Sequence, residues 1–249
     1  ITIASWISFL LFVAVLTFME PFRSYGLWKH LRPFSWHHAY HQLELGIPIF
    51  IAVFCETSLF SIVGLLMAEF GTLYLAANQA AISFTTLTYT IPWSISLTAT
   101  IVIGYEVGAK NYAVARQYAV LCQLTALFIA IGVTLFTYVF VDDIAAIFTT
   151  DAETLLALRS FLLCAVAFAF CDAMGTPVQG ILRGYKDVRI ITYIAFITYW
   201  FISIPMGYAM AHLTPYGPFG YWLSLIISLA INAAALNWRL WKQTAWRLS

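Results

Sequence analysis

Residues 45–68 read LGIPIFIAVFCETSLFSIVGLLMA, a run in which Glu56 is the only charge. A helix over such a run rises about 36 Å, enough to cross roughly 30 Å of hydrocarbon. The run lacks the strict alternation of a strand, so it predicts a membrane-spanning helix. Its one carboxylate is costly there, on the order of 3 kcal/mol or more at the middle of a bilayer. A second acid, Asp172, stands in the same position within the apolar run 161–182. Neither has a Lys or Arg within one helical turn. An ionisable group held at that cost marks a functional site by default.

The rest of the chain extends the pattern. Of its 249 residues 62% are hydrophobic and 9% charged, against roughly 25% charged in soluble domains. Apolar runs at about 3–19, 45–68, 79–105, 117–141, 158–182, 190–212 and 219–238 predict an all-α integral membrane protein, a polytopic bundle of about seven transmembrane helices. The first run is short, has no basic region before it and no small-residue cleavage site after it, so it predicts the end of a preceding helix rather than a signal peptide. The expected organisation is therefore the end of a preceding helix at 1–19, a cytoplasmic linker at 20–43, a six-helix transmembrane lobe at 44–241 and a cytoplasmic tail at 242–249.

Charge sets the orientation. Arg23, Lys29, Arg32, Lys110, Arg116, Arg183, Lys186, Arg189, Arg239, Lys242 and Arg247 fall on one side, which leaves only Arg159 opposite. The positive-inside rule makes that side cytoplasmic, with Ile1 outside and Ser249 inside. The first loop carries Trp28, Trp36, His37, His38 and His41 and reads as a segment at the membrane interface. A net charge of +1 with no basic stripe excludes a nucleic-acid partner; membrane lipid is the expected surround. Cys55, Cys122, Cys164 and Cys171 lie inside apolar runs without metal spacing and read as small buried hydrophobes. The histidines of the first loop are too few for a membrane di-iron site. No nucleophile elbow, metalloprotease helix, phosphate loop or dinucleotide fingerprint occurs, so neither an enzyme nor a resident cofactor is expected.

Glu56 lies 12 residues after Glu44, and Asp172 lies 11 residues before Arg183. On helices of opposite direction both acids fall roughly 16–18 Å from the cytoplasmic end, near one depth. Such a pair can take up a proton, a Na⁺ or a cationic ligand and release it when water access changes. Polar residues accompany them at helical spacing: Gln79, Ser83, Thr86, Thr90, Ser94 and Thr98 in the third span, Phe168, Asp172, Gly175 and Gln179 in the fifth, and Thr192, Phe196, Tyr199 and Ser203 in the sixth. Stripes of this kind line either a water-filled path or a helix contact; together with two buried acids they favour a cavity. Pro92, Pro177 and Pro205 fall within spans, where a broken backbone bond supplies a hinge or a static bend.

Several stretches resemble the multidrug and toxic compound extrusion (MATE) transporters, in their bacterial NorM-like branch. In order they are Leu45-Gly46-Ile47-Pro48 followed by Glu56; Ala76-Ala77-Asn78-Gln79; G-Y-E-V-G-A-K at 104–110; Asp172; L-R-G-Y-K-D at 182–187; and Tyr199-Trp200 with Pro205. Their order and spacing are similar to the second half of such a transporter. The resemblance implies the last helix of one lobe followed by the C-terminal lobe of a twelve-helix fold in a bacterial cytoplasmic membrane, with the N-terminal lobe as its partner. It implies export of lipophilic organic cations in exchange for Na⁺ or H⁺, and cation coupling at Glu56, Asp172 and Tyr199. The expected substrate cavity takes in Gln79, Ser83, Thr86, Thr90, Phe168, Gln179 and Phe196. Some members carry a Tyr where this chain has Phe168, one turn before the acid, which leaves the coupling ion open. A flippase of related fold for lipid-linked sugars would be expected to place basic residues in the cavity. A truncated, non-transporting membrane protein is the remaining alternative.

Overall fold

The computed structural model describes residues 2–20 and 35–246, and divides into two compact units, residues 1–43 and 44–249. The described helices are α1 (Thr2–Phe18), α2 (Trp36–Met67), α3 (Thr72–Gly108), α4 (Tyr112–Val139), α5 (Val141–Phe148), α6 (Ala152–Gly184), α7 (Val188–Phe196), α8 (Ile204–Leu213) and α9 (Phe219–Trp246). A short 3₁₀ turn, Ala68–Phe70, follows α2, and a π-helical segment, Ile197–Ser203, joins α7 to α8. Six stretches are long and apolar enough to cross a membrane, and α1 is a shorter apolar helix. The expected spans 79–105, 158–182 and 219–238 each lie within one helix, 190–212 runs through α7, the π segment and α8, and 3–19 and 45–68 each pass a helix end by one residue. The fourth overruns: Phe140 ends α4, and residue 141 opens α5, an amphipathic helix that buries Val141, Ile144 and Ala145. Its Asp142 pairs with Arg159 at 2.7 Å. Residues 36–43, expected in the linker, are helical; Trp28 lies outside the described residues.

In the unit from residue 44 onward, α6 is the centre, packed on α3, α4 and α9. Its start is fixed by Asp151, whose carboxylate accepts from the backbone N–H and the hydroxyl of Thr154. The Thr154 hydroxyl, then its N–H, holds that carboxyl below the usual carboxylate range.

Small residues make the contacts. Ala115, Ala119, Ala126 and Ala130 form the buried face of α4, while Phe128 on the same helix is 71% exposed. Lipid tails offer no hydrophobic drive between helices, so backbones gain by approaching closely across alanine and glycine. The tightest approach is between α3 and α6: a Cβ on Gly180 would lie 2.0 Å from the Ser96 carbonyl oxygen. Beside it the Thr100 hydroxyl donates to the Gly180 carbonyl at 3.0 Å.

The prolines are absorbed in different ways. Both α3 and α6 stay helical through Pro92 and Pro177. Near Pro177, the Met174 carbonyl accepts from Gln123 on α4 (3.2 Å) and Asn237 on α9 (2.9 Å), so neighbouring helices satisfy a backbone loosened by the ring. Pro205 follows the π segment, whose wider turn accommodates a ring that would press on the preceding turn.

Candidate functional site

The α2–α3 and α6 helices bring the two acids into the lobe. Glu56, half-buried on α2, accepts a 3.2 Å hydrogen bond from the Tyr89 hydroxyl on α3. Asp172, buried in α6, accepts from the Thr176 hydroxyl of its own helix at 2.7 Å. Among the described residues neither acid enters an ion pair. Tyr199 is buried in the π segment, and its hydroxyl has no hydrogen-bond partner among the described residues.

Three cavities touch these groups. A cleft of about 390 Å³ is walled by Glu56, Phe60, Thr85, Thr86, Tyr89, Trp93 and Phe168, and Glu56 is its one charged residue. A pocket of about 20 Å³ holds Asp172, Thr88, Tyr89 and Pro92 against Ala126 and Ala130 of α4. A pocket of about 10 Å³ is shared by Glu56, Tyr199, Ser228 and Phe168. The acids, expected around one cavity, thus line separate ones. Asp172 is turned toward Thr176 and α4, and the ring of Phe168 borders all three spaces. That ring is held edge-on by Phe60 (5.7 Å) and Trp222 (6.3 Å).

Of the remaining expected cavity residues, Thr86 lines the cleft, whereas Gln79, Ser83, Thr90, Gln179 and Phe196 lie outside all three spaces. The hydroxyls of Ser83, Thr86, Thr90, Ser94 and Thr98 bond back to carbonyls of α3 itself. The face of α3 that meets the cleft is Ile82, Thr85, Tyr89 and Trp93, with Thr86 at its edge. It is displaced one residue, about 100° of helix rotation, from the Ser83–Thr86–Thr90–Ser94 stripe. Gln179 is occupied by Arg183, which donates to it at 3.3 Å. Phe196 is exposed and stacks on Trp200.

Sequence reasoning missed Tyr89, Trp93, Thr176 and Ser228. The Tyr89-x-x-x-Trp93 spacing, one helical turn across Pro92, was the available signal, since i and i+4 share a face; the two rings lie 5.8 Å apart. Arg183, one residue beyond the expected span 158–182, is in the last turn of α6 with its guanidinium 5.6 Å from the Trp93 ring. One aromatic pair therefore separates this cation from Glu56. Among the described residues no cluster of three His, Cys, Asp or Glu is gathered.

Residues 48–209 match the MatE family model. Among curated relatives, the probable multidrug resistance protein NorM of Bacillus cereus is 42% identical over 241 residues, which cover 97% of this chain and 53% of the relative. The protein of the same name from Bacillus subtilis is 42% identical over 226 residues, covering 89% and 49%. The chain spans about half the length of the curated relatives it matches. Among solved structures, the eukaryotic MATE transporter AtDTX14 superposes with a TM-score of 0.87 at 18% identity, covering 98% of this chain and 55% of that one. A MATE structure in the straight conformation gives 0.85 at 17% identity, covering 100% and 56%. At these identities the likeness is one of fold.

Proposed function

The chain belongs to the MatE family of multi-pass membrane proteins, and on that premise we propose that it is the C-terminal lobe of a multidrug efflux transporter. The reading is of an antiporter in a bacterial cytoplasmic membrane that exports lipophilic organic cations against inward flow of Na⁺ or H⁺. The observation that carries it is the cleft beside Glu56: one carboxylate among the rings of Phe60, Tyr89, Trp93 and Phe168. A flat cation gains there from apolar contact, from the ring faces and from the single negative charge.

The coupling ion neutralises Glu56 and Asp172. Tyr199 supports this role, because its hydroxyl is buried, unpartnered and on the same small pocket as Glu56. With Glu56 neutral the cleft loses its charge for the drug, and the cation leaves outward. Alternating access comes from rocking against the N-terminal lobe, with Pro92, Pro177 and Pro205 as the hinge positions. The charge count orients the lobe with its C-terminus in the cytoplasm.

The test is efflux of a fluorescent lipophilic cation from cells making the full-length protein. Glu56→Gln and Asp172→Asn should each reduce gradient-driven efflux to background while membrane insertion stays intact. Normal efflux in both variants would sink the proposal.

A further inference from the structure

One polar feature of the lobe takes no part in the cleft. Along α9, Tyr221, Ser224, Ser228 and Asn232 recur at steps of three and four and share a face. All four are fully buried, and the face packs on the π segment and α8. Three contacts fix the antiparallel register. Asn232 donates to the Thr198 hydroxyl at 3.0 Å. A Cβ on Gly207 would lie 2.6 Å from the Ser224 hydroxyl, and one on Gly220 would lie 2.6 Å from the Met210 carbonyl carbon. Interpolation between them sets Ser203 opposite Ser228.

Within this seam the Tyr199 hydroxyl, the Ser203 hydroxyl and the Asn232 side-chain oxygen have no hydrogen-bond partner among the described residues. Buried polar atoms are nearly always satisfied, by protein or by water. Three orphans along one seam are therefore groups that bridging water would satisfy. At one end the seam meets the pocket that Ser228 and Tyr199 share with Glu56; its volume of about 10 Å³ is close to what one water needs. At the other end, the Tyr221 hydroxyl lies 3.5 Å from Nε2 of His212, and the same nitrogen lies 3.5 Å from a carboxylate oxygen of Glu69. The Glu69 side chain is 55% exposed, so the line of polar groups begins at the surface.

We propose that this seam delivers the coupling proton to Glu56 from the face that carries Glu69 and His212, so that H⁺ rather than Na⁺ drives the exchange; the proposal rests on the transport reading above. A proton taken up at Glu69 passes to Nε2 of His212, is handed on through the Tyr221 and serine hydroxyls and their bridging waters, and ends on the Glu56 carboxylate. The Ser224 and Ser228 hydroxyls rest on the Tyr221 and Leu225 carbonyls of their own helix and turn into the seam to carry the proton; each hydroxyl releases one proton as it receives one, so charge moves without net change in the relay. An imidazole suits this traffic, and a line of single hydroxyls and waters passes a proton from group to group without gathering ligands around an ion. The groups facing His212 are Glu69 from the 3₁₀ turn, Tyr221 from α9, Tyr208 from its own helix at 4.3 Å between rings, and Phe70. The contact of Gly207 with Ser224 closes the seam in this conformation, so passage requires α8 and α9 to part there.

The test uses the full-length transporter in proteoliposomes, with a pH step or a Na⁺ step imposed separately and a fluorescent lipophilic cation as substrate. His212→Gln, Tyr221→Phe and the double variant Ser203→Ala/Ser228→Ala should each slow pH-driven transport about tenfold or more. Equilibrium binding of the cation to purified protein should stay unchanged. His212→Gln should also flatten the dependence of the rate on outer pH. Wild-type rates in all three variants, transport driven by the Na⁺ step alone, or loss of cation binding in step with the rate would each overturn the seam. Glu56→Gln separates the two levels. If it is inactive while the seam variants are normal, only the seam fails; if it and Asp172→Asn both transport normally, the transport reading itself fails.

Discussion

Tyr89 holds Glu56 by one bond and offers its ring to the cleft, so on the proposed function it serves ion and drug alike. A hydrogen bond to a charged group contributes roughly 1.5–3 kcal/mol. Tyr89→Phe, which keeps the ring, should therefore slow gradient-driven efflux about tenfold and leave cation binding nearly intact. Tyr89→Leu should weaken binding as well, by loss of aromatic contact; paired efflux and fluorescence-binding measurements distinguish the two. Tyr89 also shows why the acids were legible in the sequence and their partner was not. Glu56 and Asp172 stand out because a charge in an apolar run has no bland neighbour to hide among. A tyrosine among threonines looks like any other member of a polar helix. The stripe that did stand out, Ser83–Thr86–Thr90–Ser94, misled because a Ser or Thr in a membrane helix can satisfy itself on its own backbone. Polarity then carries no information about where the side chain faces.

Two elements end in the same way. Lys110 and Lys186 take up the left-handed conformation, with φ of 63° and 62°. In both turns the N–H of that lysine bonds three residues back, and the next N–H bonds five back: Asn111 to Glu106, and Asp187 to Leu182. This is the helix stop that glycine usually makes, and a side chain there costs about 1 kcal/mol. Lys110→Gly and Lys186→Gly should each raise thermal stability in detergent by up to about that amount, read as a higher melting temperature. Gly180→Ala should do the reverse. Its Cβ meets the Ser96 carbonyl oxygen, so α3 must move off α6, at a cost of about 3 kcal/mol or more. Spans of this length are readable from hydropathy because bilayer thickness fixes them. The π segment and α5 were not, since a widened turn depends on what packs beside Pro205 and a two-turn helix is too short to carry a period. Asn232 reaching Thr198 and Trp222 donating to Asn78 are likewise contacts between distant residues.

At the scale of the molecule, the charge count predicts a cytoplasmic C-terminus. A reporter fused after Gln243 in the full-length protein should respond only from the cytoplasmic side, and a response from outside would reverse the assignment of both faces. Six helices and their order follow from the sequence, whereas which helix sits at the centre does not. That place goes to α6 because Gly180 and Gly184 let α3, and Gly175 lets α9, approach its backbone, and close approach is decided by what a helix lacks. The ring of Phe168, wall to three spaces at once, has one more consequence. On the proposed function, a guest pressing on it from the cleft would change the room beside each acid, and an ion settling beside an acid would reshape the cleft. Thermodynamic linkage makes the two effects equal: by whatever factor the ion weakens the guest, the guest weakens the ion. A single phenyl ring then acts as the beam of a balance, and exchange needs no wire longer than its width.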